Sequence, residues 1–437
     1  MKRVHILTIF LSLILILCAC HDAVDPSTDI HTSGKQVEGS DPQWSVIPKP
    51  STGETTLPEN CDNGHTFPDE APCCALCGID YYNATLGFRL SDDGTYYLVD
   101  GFGSCKRTTV IVPETHNGLP VAGINTLTTY GYIGLDAPHT KVTHVVLPDS
   151  IKILGRMAFY GYRSLVSINL PDGIERIEEA AFDGCESLVS LTLPDSVTYI
   201  GKRAFACCIK LKNLYIPDGV TEFGESAFYA CEALEEIKVP DEMTEIPYGL
   251  ASHCKSLKKI TCGKNVSKIG ANAFQNCISL QDFIIGENVT QIGSDAFDGC
   301  KSLTNIIIPD AVTVIGMAAF ENCTALTSIV IPDGVSVIEA RLFYKCENLE
   351  TVVIGAGVKK FMHAVFEDCP KLKSIYYRGT QAQWEQIEIR HGPPFVNSTN
   401  PNFENVEIYF LTETQPGEEG NYWHYADGIP TPWKPKE

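Results

Sequence analysis

Large apolar residues recur at a fixed spacing along most of the chain. Phenylalanine returns every 23 residues, and only Ala251 interrupts the column. Three residues after each member of this column lies a cysteine, or Tyr162 in the first repeat, and three residues further lies a leucine. The phenylalanines are Phe159, Phe182, Phe205, Phe228, Phe274, Phe297, Phe320, Phe343 and Phe366. A period of this length is typical of a solenoid, in which each repeat packs on its neighbours.

The sequence of one repeat, residues 165–185, predicts the local structure of all the repeats. Residues 165–170 (Leu-x-x-Ile-x-Leu) predict a short strand, which residues 171–172 (Pro-Asp) end with a turn. Residues 174–177 (Ile-x-x-Ile) predict a buried return segment, and residues 181–185 (Ala-Phe-x-x-Cys) a helical turn. Stacking such strands gives a parallel sheet with rows about 4.8 Å apart. We therefore predict an α/β solenoid of parallel strands and short helical turns.

One repeat departs from this pattern. Leu250 and Ala251 stand where the other repeats have alanine and phenylalanine, and Pro247 replaces the usual glycine. An unfilled phenylalanine cavity would cost about 3–5 kcal/mol, so we expect Leu250 to occupy part of it. The sequence predicts a local bend or looser packing at this repeat.

The cysteine column has two interpretations. Thiols one repeat apart lie within disulfide reach, which would suit a redox or metal role. The alternative is a buried column of free thiols that pack as small apolar side chains. Because Tyr162 occupies the same position in the first repeat, we favour free thiols. Cys207 and Cys262 lie outside the column, and the sequence indicates no role for them.

Further motifs flank the array. Residues 90–97 (Leu-Ser-Asp-Asp-Gly-Thr-Tyr-Tyr) and the irregular repeat at 110–121 precede it, and residues 376–384 and 407–433 follow it. Together with the 23-residue period, these motifs resemble the BspA-like (Treponema-type) leucine-rich repeat proteins, over about residues 84–410. The resemblance implies a leucine-rich repeat solenoid closed by β-hairpin caps. It also implies a surface-exposed bacterial protein, in some members an adhesin.

The same motifs suggest the domain boundaries. Residues 84–140 are expected to hold an N-terminal cap and a first irregular repeat, with an insertion of about 12 residues near 126–140. The regular solenoid would occupy residues 141–390, and a C-terminal cap residues 391–437. Caps are needed because the last repeat of a solenoid would otherwise expose its core and a sheet edge.

The N-terminus resembles the signal peptide of a bacterial lipoprotein. Lys2 and Arg3 precede the apolar stretch 6–17, which is short for a membrane span. Residues 17–20 (Leu-Cys-Ala-Cys) are similar to a lipobox, with Cys20 as the lipid attachment residue. Residues 21–60 are rich in Pro, Ser, Thr and Gly and predict a disordered tether. We expect an extracytoplasmic protein anchored to the membrane at the bacterial cell surface; the alternative is an ordinary secretory signal without lipid.

A small cysteine and histidine cluster is predicted at residues 61–83. Cys61, His65, Cys74 and Cys77 could hold a structural zinc ion, and four protein ligands would leave no open coordination position for catalysis. The competing interpretation is a set of disulfides that involves these cysteines together with Cys73 and Cys105. No other cofactor is expected.

The charge and the motifs limit the function. The chain has 33 Lys and Arg against 54 Asp and Glu, a net charge of −21. A field of that sign repels nucleic acids and anionic membranes, so a lipid anchor would be the only contact with the bilayer. The sequence lacks the metalloprotease, serine hydrolase, phosphate-loop and dinucleotide-binding motifs, and we expect no enzyme.

The outward-facing column of the predicted strands is the candidate ligand face. Its first half is polar and its second half is apolar, which would be unusual for a surface without a partner. The alternative is that branched residues merely suit a sheet. The column contains Asn169, Thr192, Tyr215, Lys238, Thr261, Ile284, Ile307, Val330, Val353 and Tyr376.

These observations predict a cell-surface module for protein binding or adhesion. Its ligand would be a protein or glycan on a host or bacterial surface. The alternative function is a structural or assembly component of the bacterial cell envelope, since a solenoid without catalytic motifs would suit either role.

Overall fold

The protein is a solenoid of short parallel strands, seen in a computed structural model that describes residues 86–101, 109–125, 141–390, 406–417 and 420–433. The strands in chain order are β1 (Gly87–Leu90), β2 (Tyr97–Gly101), β3 (Thr109–Ile111), β4 (Thr115–His116), β5 (Leu119–Ile124), β6 (His144–Val146), β7 (Ile153–Leu154), β8 (Ser167–Ile168), β9 (Arg176–Ile177), β10 (Ser190–Thr192), β11 (Tyr199–Ile200), β12 (Asn213–Tyr215), β13 (Glu222–Phe223), β14 (Glu236–Lys238), β15 (Glu245–Ile246), β16 (Lys259–Thr261), β17 (Lys268–Ile269), β18 (Asp282–Ile284), β19 (Gln291–Ile292), β20 (Asn305–Ile307), β21 (Val314–Ile315), β22 (Ser328–Ile331), β23 (Val337–Ile338), β24 (Thr351–Ile354), β25 (Lys360–Phe361), β26 (Ser374–Tyr377), β27 (Glu388–Ile389), β28 (Glu407–Leu411), β29 (Tyr422–Ala426) and β30 (Ile429–Pro432).

Two parallel sheets run along the solenoid. The even-numbered strands from β6 to β28 lie on one side, which we call the front sheet, and the odd-numbered strands from β7 to β27 lie on the other, the return sheet. Strand pairing is not continuous along either side: the front sheet consists of four hydrogen-bonded groups of strands and the return sheet of three. From β6 to β26 paired residues are 23 positions apart, as in Ser190 with Asn213 and Ile200 with Phe223. Residues at the same repeat position therefore stack on one another. The predicted period and the parallel sheets are confirmed.

The stacked columns form one continuous core. Neighbouring rings of the phenylalanine column are stacked with their centroids 5.3 to 6.0 Å apart. The leucine and cysteine columns beside them are buried. Each repeat thus fills its interior only against the repeats on either side, as a solenoid requires.

The third side of each repeat is a turn rather than the predicted helical turn. Backbone hydrogen bonds join these turns from one repeat to the next, as in Phe159 N to Ala181 O at 2.7 Å. Two residues per turn, four positions apart, have a left-handed backbone, with φ of +54° at Arg203 and +56° at Cys207. Such residues cannot continue an α-helix. In the described residues the only helix is α1 (Gln381–Trp384), so the α/β class is not confirmed.

Both ends of the array carry antiparallel hairpins. At the N-terminal end β1 pairs with β2, and the irregular first repeat joins the array because β3 pairs with β6. At the C-terminal end β28 continues the front sheet, and β29 and β30 form the hairpin. Trp384 of α1 packs on Phe361 and Tyr377. The predicted insertion at 126–140 lies outside the described residues.

Both sheets are interrupted at the repeat with Pro247, as they also are between β20 and β22 and between β21 and β23. Strand β12 does not pair with β14, and β13 does not pair with β15. At the equivalent position Gly224 and Gly270 each donate a backbone hydrogen bond of 2.7 Å to the preceding repeat, whereas proline has no N–H to donate. Leu250 is completely buried, so the core stays filled. The core is thus filled at this repeat, and the local bend or looser packing stays a prediction, because the sheets are interrupted at other repeats as well.

Close approach of the repeats predicts the effect of one substitution. A Cβ atom on Gly293 would lie 2.4 Å from the backbone nitrogen of Ala271, whereas on Gly219 its nearest neighbour would be 3.7 Å away. We expect Gly293→Ala to lower the free energy of unfolding by about 1–3 kcal/mol, because the repeats must move apart. Gly219→Ala, as the matched control, should leave it unchanged or raise it by about 0.4–1 kcal/mol. Urea unfolding monitored by circular dichroism measures both; equal effects would contradict the explanation.

Candidate functional site

The front sheet presents one side chain of each strand to the core and its neighbours to solvent. In β20, Ile306 is buried while Ile307 points outward with 80% of its surface exposed. The alternation follows from the pleat of a strand, which sends successive side chains to opposite faces. The outward column predicted from the sequence therefore exists, and the exposure of each member decides what it can contact.

Three aliphatic residues form an exposed patch on this face. Ile284 and Ile307 are each 80% exposed and are direct partners in the parallel pair of β18 and β20. Val330 of β22, in the next repeat, is 38% exposed. We call Ile284, Ile307 and Val330 the apolar stripe. Burying an isoleucine side chain stabilises a protein by about 1.5–3 kcal/mol. Ile284 and Ile307 are too exposed to receive this stabilisation from the fold itself.

The stripe is shorter than the sequence predicted. Val353 and Tyr376 are only 4% and 7% exposed and belong to a small second core on the outer side of the front sheet. Trp423 of β29 covers them: its ring lies 5.4 Å from that of Tyr376, and its indole N–H donates to the carbonyl of Tyr377 at 3.0 Å. The apolar residues of the last two repeats are thus used by the C-terminal cap.

Tyr215 lies apart from the stripe. It is 53% exposed, and its hydroxyl donates to Asp195 at 3.4 Å. Lys238 and Thr261 occupy the two intervening repeats, so the ring does not extend the apolar surface. The polar half of the column carries ion pairs along its edge, between Lys238 and Asp218 and between Lys264 and Asp241.

The cysteine column consists of buried free thiols, as predicted. Each thiol donates to a backbone carbonyl of the preceding repeat, as Cys277 does to Ala251 at 3.2 Å. Burial raises the pKa of these thiols, for Cys254 and Cys369 to about 12. The column is therefore poorly suited to nucleophilic or redox chemistry, which needs an accessible thiolate.

The two cysteines outside the column lie nearer the surface. Cys207 occupies a left-handed turn position, next to Cys208 of the column, and Cys262 follows β16. Both are half-buried. The turn geometry explains the position of Cys207, a feature that the periodicity of apolar residues did not reveal.

The N-terminal predictions fall outside the described residues. Cys20 and the proposed zinc ligands Cys61, His65, Cys74 and Cys77 all precede residue 86. Within the part of the chain that the structure describes, no three His, Cys, Asp or Glu side chains form a group suited to a metal ion. The same residues include no helix with the length and apolarity to cross a bilayer.

The buried thiols predict a dependence of stability on pH. Burial raises the pKa of Cys254 from 9.0 in the unfolded chain to about 12 in the fold. Its contribution is therefore fully present below pH 9, and between pH 9 and about 12 Cys254 lowers the free energy of unfolding by about 1.4 kcal/mol per pH unit. Urea titrations at pH 8, 9.5 and 10.5 should show this decline.

Alkylation checks the same property site by site. Iodoacetamide at pH 9.5 should modify Cys207 and Cys262 much faster than Cys254 and Cys369, as read by peptide mass mapping. Unfolding in urea should remove the difference. Equal rates in the folded protein would contradict the burial of the column.

The cap also gives a mutational prediction. Trp423→Ala removes the ring that covers Val353 and Tyr376, so we expect a loss of about 3–5 kcal/mol in the free energy of unfolding. Tyr425→Ala is the matched control, since Tyr425 is 42% exposed and should cost much less. Thermal unfolding of both variants is followed by far-UV circular dichroism, a signal of backbone structure that does not depend on the removed tryptophan. A neutral Trp423→Ala would disprove the second core.

The repeats match a known protein family, and solved structures of similar proteins exist. The BspA type leucine rich repeat region, in six copies, matches residues 138–258 and 245–373. Among solved structures, a leucine-rich cell surface protein from Faecalibacterium prausnitzii A2-165 is 24% identical, over 71% of this chain and 97% of that chain, with a TM-score of 0.38. A leucine-rich repeat protein from Bacteroides ovatus is 22% identical over 71% and 98%, with a TM-score of 0.38.

A third solved structure is the pneumococcal vaccine antigen PcpA, 18% identical over 75% of this chain and 92% of that chain, with a TM-score of 0.48. The comparison with curated proteins found no match. The family match extends from residue 138 to residue 373, more than half of the 437 residues. On that match, and on the 23-residue solenoid described above, the chain belongs to the BspA-type leucine-rich repeat proteins.

Proposed function

We propose that this protein is a cell-surface module for protein binding or adhesion. The observation that carries the proposal is the apolar stripe, where Ile284 and Ile307 are each 80% exposed side by side. Large exposed apolar side chains that adjoin one another are typical of contact surfaces. A solenoid also offers a long rigid face on which a partner can be held without a deep pocket.

The N-terminal sequence supports a surface location. In this proposal Cys20 carries the lipid, and residues 21–60 hold the solenoid away from the bilayer. A random coil of 40 residues has an end-to-end distance of roughly 35 Å, enough to clear the lipid headgroups. A structural zinc ion at Cys61, His65, Cys74 and Cys77 would stabilise the short segment between the tether and the N-terminal cap.

A second function is a structural or assembly role in the bacterial cell envelope. Its partner would be an envelope component rather than a host protein or glycan. The exposed Tyr215, with Asp195 beside it, would suit a glycan, because aromatic rings stack on sugars while polar groups fix their hydroxyls. The two functions share a binding surface and differ in the source of the ligand.

The experiment measures binding of the full chain to arrayed host matrix proteins and glycans, with bacterial cell-wall fractions in parallel. A saturable host ligand would make the protein an adhesin, and binding only to the wall fractions would make it an envelope component. The double substitution Ile307→Lys with Val330→Lys should weaken binding at least a hundredfold, because two buried contacts are replaced by charges.

The matched control places the same charges elsewhere. Ile153 and Val314 are outward residues of the return sheet, 42% and 50% exposed, and Ile153→Lys with Val314→Lys should leave binding unchanged. Both variants should unfold at the wild-type temperature. Unchanged binding in the Ile307 and Val330 variant would refute the stripe as the binding surface.

A further inference from the structure

We propose that the apolar stripe binds a basic amphipathic helix of a partner protein. This inference rests on the proposed binding function and names the chemistry of the ligand. It is carried by two properties of the stripe: the charge that surrounds it and the spacing of its side chains.

The first property is an acidic border without basic residues. The three chain segments that carry the stripe are residues 281–289, 304–312 and 327–335. They contain four acidic residues and no Lys, Arg or His. Glu287 and Asp310 are exposed beside the stripe, each in the turn that follows its strand. A partner that covers the aliphatic side chains would bring its own flanking residues next to these carboxylates.

In two of the preceding repeats the acid at the same repeat position has a cation: Asp218 pairs with Lys238, and Asp241 pairs with Lys264 at 2.9 Å. In an earlier repeat Asp195 accepts a hydrogen bond from the hydroxyl of Tyr215 instead. In the stripe, isoleucine stands where Lys238 stands in its own repeat, and among the described residues neither Glu287 nor Asp310 forms an ion pair. The partner is therefore expected to supply the missing cations.

The far end of the stripe limits the site. Asp333 pairs with Arg378 at 3.6 Å, and Arg378 also donates to the hydroxyl of Tyr425 in the cap. Of the acids in the turns that follow the three strands, Glu287 and Asp310 are therefore the two that lie beside the exposed Ile284 and Ile307 without an ion pair among the described residues. Basic residues along one or two turns of a partner helix would be enough to reach both carboxylates.

The second property is the distance between rows. The stripe crosses the strands, so its side chains repeat about every 4.8 Å, and three rows span about 9.6 Å. Residues i and i+7 of an α-helix, two turns apart, are separated by about 10.5 Å. Five residues of an extended strand place three same-face side chains, at i, i+2 and i+4, over about 13 Å. A helix lying along the solenoid axis therefore matches the rows, and a strand does not.

A second copy of the chain does not satisfy these conditions. Its net charge is −21, and a self-complementary contact would place acidic border against acidic border. An amphipathic helix satisfies both conditions. Its aliphatic residues at i, i+3 or i+4, and i+7 would contact the stripe, and basic residues on one flank would face the carboxylates; binding through such a helix face is a common form of peptide recognition.

The test uses three synthetic 18-residue peptides and the full chain. The first peptide is a leucine and lysine amphipathic helix, the second has glutamate in place of lysine, and the third has the composition of the first in an order without helical periodicity. Fluorescence anisotropy should show saturable binding of the first peptide, at least tenfold tighter than of the other two. It should weaken when NaCl rises from 50 to 500 mM.

Two protein variants separate the contributions. Glu287→Gln with Asp310→Asn should weaken binding of the basic peptide about tenfold, and Ile284→Thr with Ile307→Thr should weaken it at least as much. Glu222→Gln with Glu245→Gln, which changes the net charge equally on the return sheet, is the control and should have no effect. Circular dichroism verifies that each variant is folded.

The outcomes distinguish this inference from the proposed function. Equal binding of the acidic or the aperiodic peptide, or no loss in the Glu287 and Asp310 variant, would overturn the basic helix. If the surface ligand found with the arrays still requires Ile307 and Val330, the binding function would then stand with a ligand of other chemistry. Loss of the basic peptide in both stripe variants, with an unaffected control, would support the inference.

Discussion

Backbone hydrogen bonds between successive repeats set the register on which every other feature depends. Paired residues in both sheets are 23 positions apart from β6 to β26, and the turns are joined by bonds such as Phe182 N to Ala204 O at 2.8 Å. Because the register is constant, a residue type that recurs at one position becomes a continuous column. The phenylalanine stack, the thiols and the exposed outward face all arise in this way. A slip of one residue in a strand would exchange the buried and exposed columns.

Much of the fold could be predicted because the period is strict. The spacing of Phe, Cys and Leu fixed which residues are buried and which strands are neighbours, and the free thiols followed from the position that Tyr162 shares with the cysteines. The turns could not be predicted in the same way. Their two left-handed positions accept residues as different as Ala180, Arg203 and His253, so the sequence carries no consistent signal for them. The apolar spacing alone therefore suggested helical turns.

The candidate site was predicted in part for a related reason. Repeat position identified Ile284, Ile307 and Val330 as outward residues, but it could not indicate what covers an outward residue. Trp423 lies 47 residues beyond Tyr376, outside the periodic array, and it places Tyr376 and Val353 in a second core. The pairing of Asp218 with Lys238 and the lack of a cation beside Asp310 likewise depend on contacts across repeats. Surface chemistry on a solenoid is set by these neighbours as much as by the repeat itself.

The last strand has a consequence for how such molecules behave when crowded together. Trp433, which directly follows β30, donates its backbone N–H to Tyr422 O of β29 at 2.9 Å. Because backbone groups alternate in direction along a strand, every second residue of β30 directs its backbone groups away from β29, toward the open edge. Those positions are Pro430 and Pro432, which have no N–H. An unprotected sheet edge can template the addition of strands from another chain and so start a fibre. Here the two outward positions of β30 offer no donor, so this edge is poorly suited to pairing with a strand of another chain.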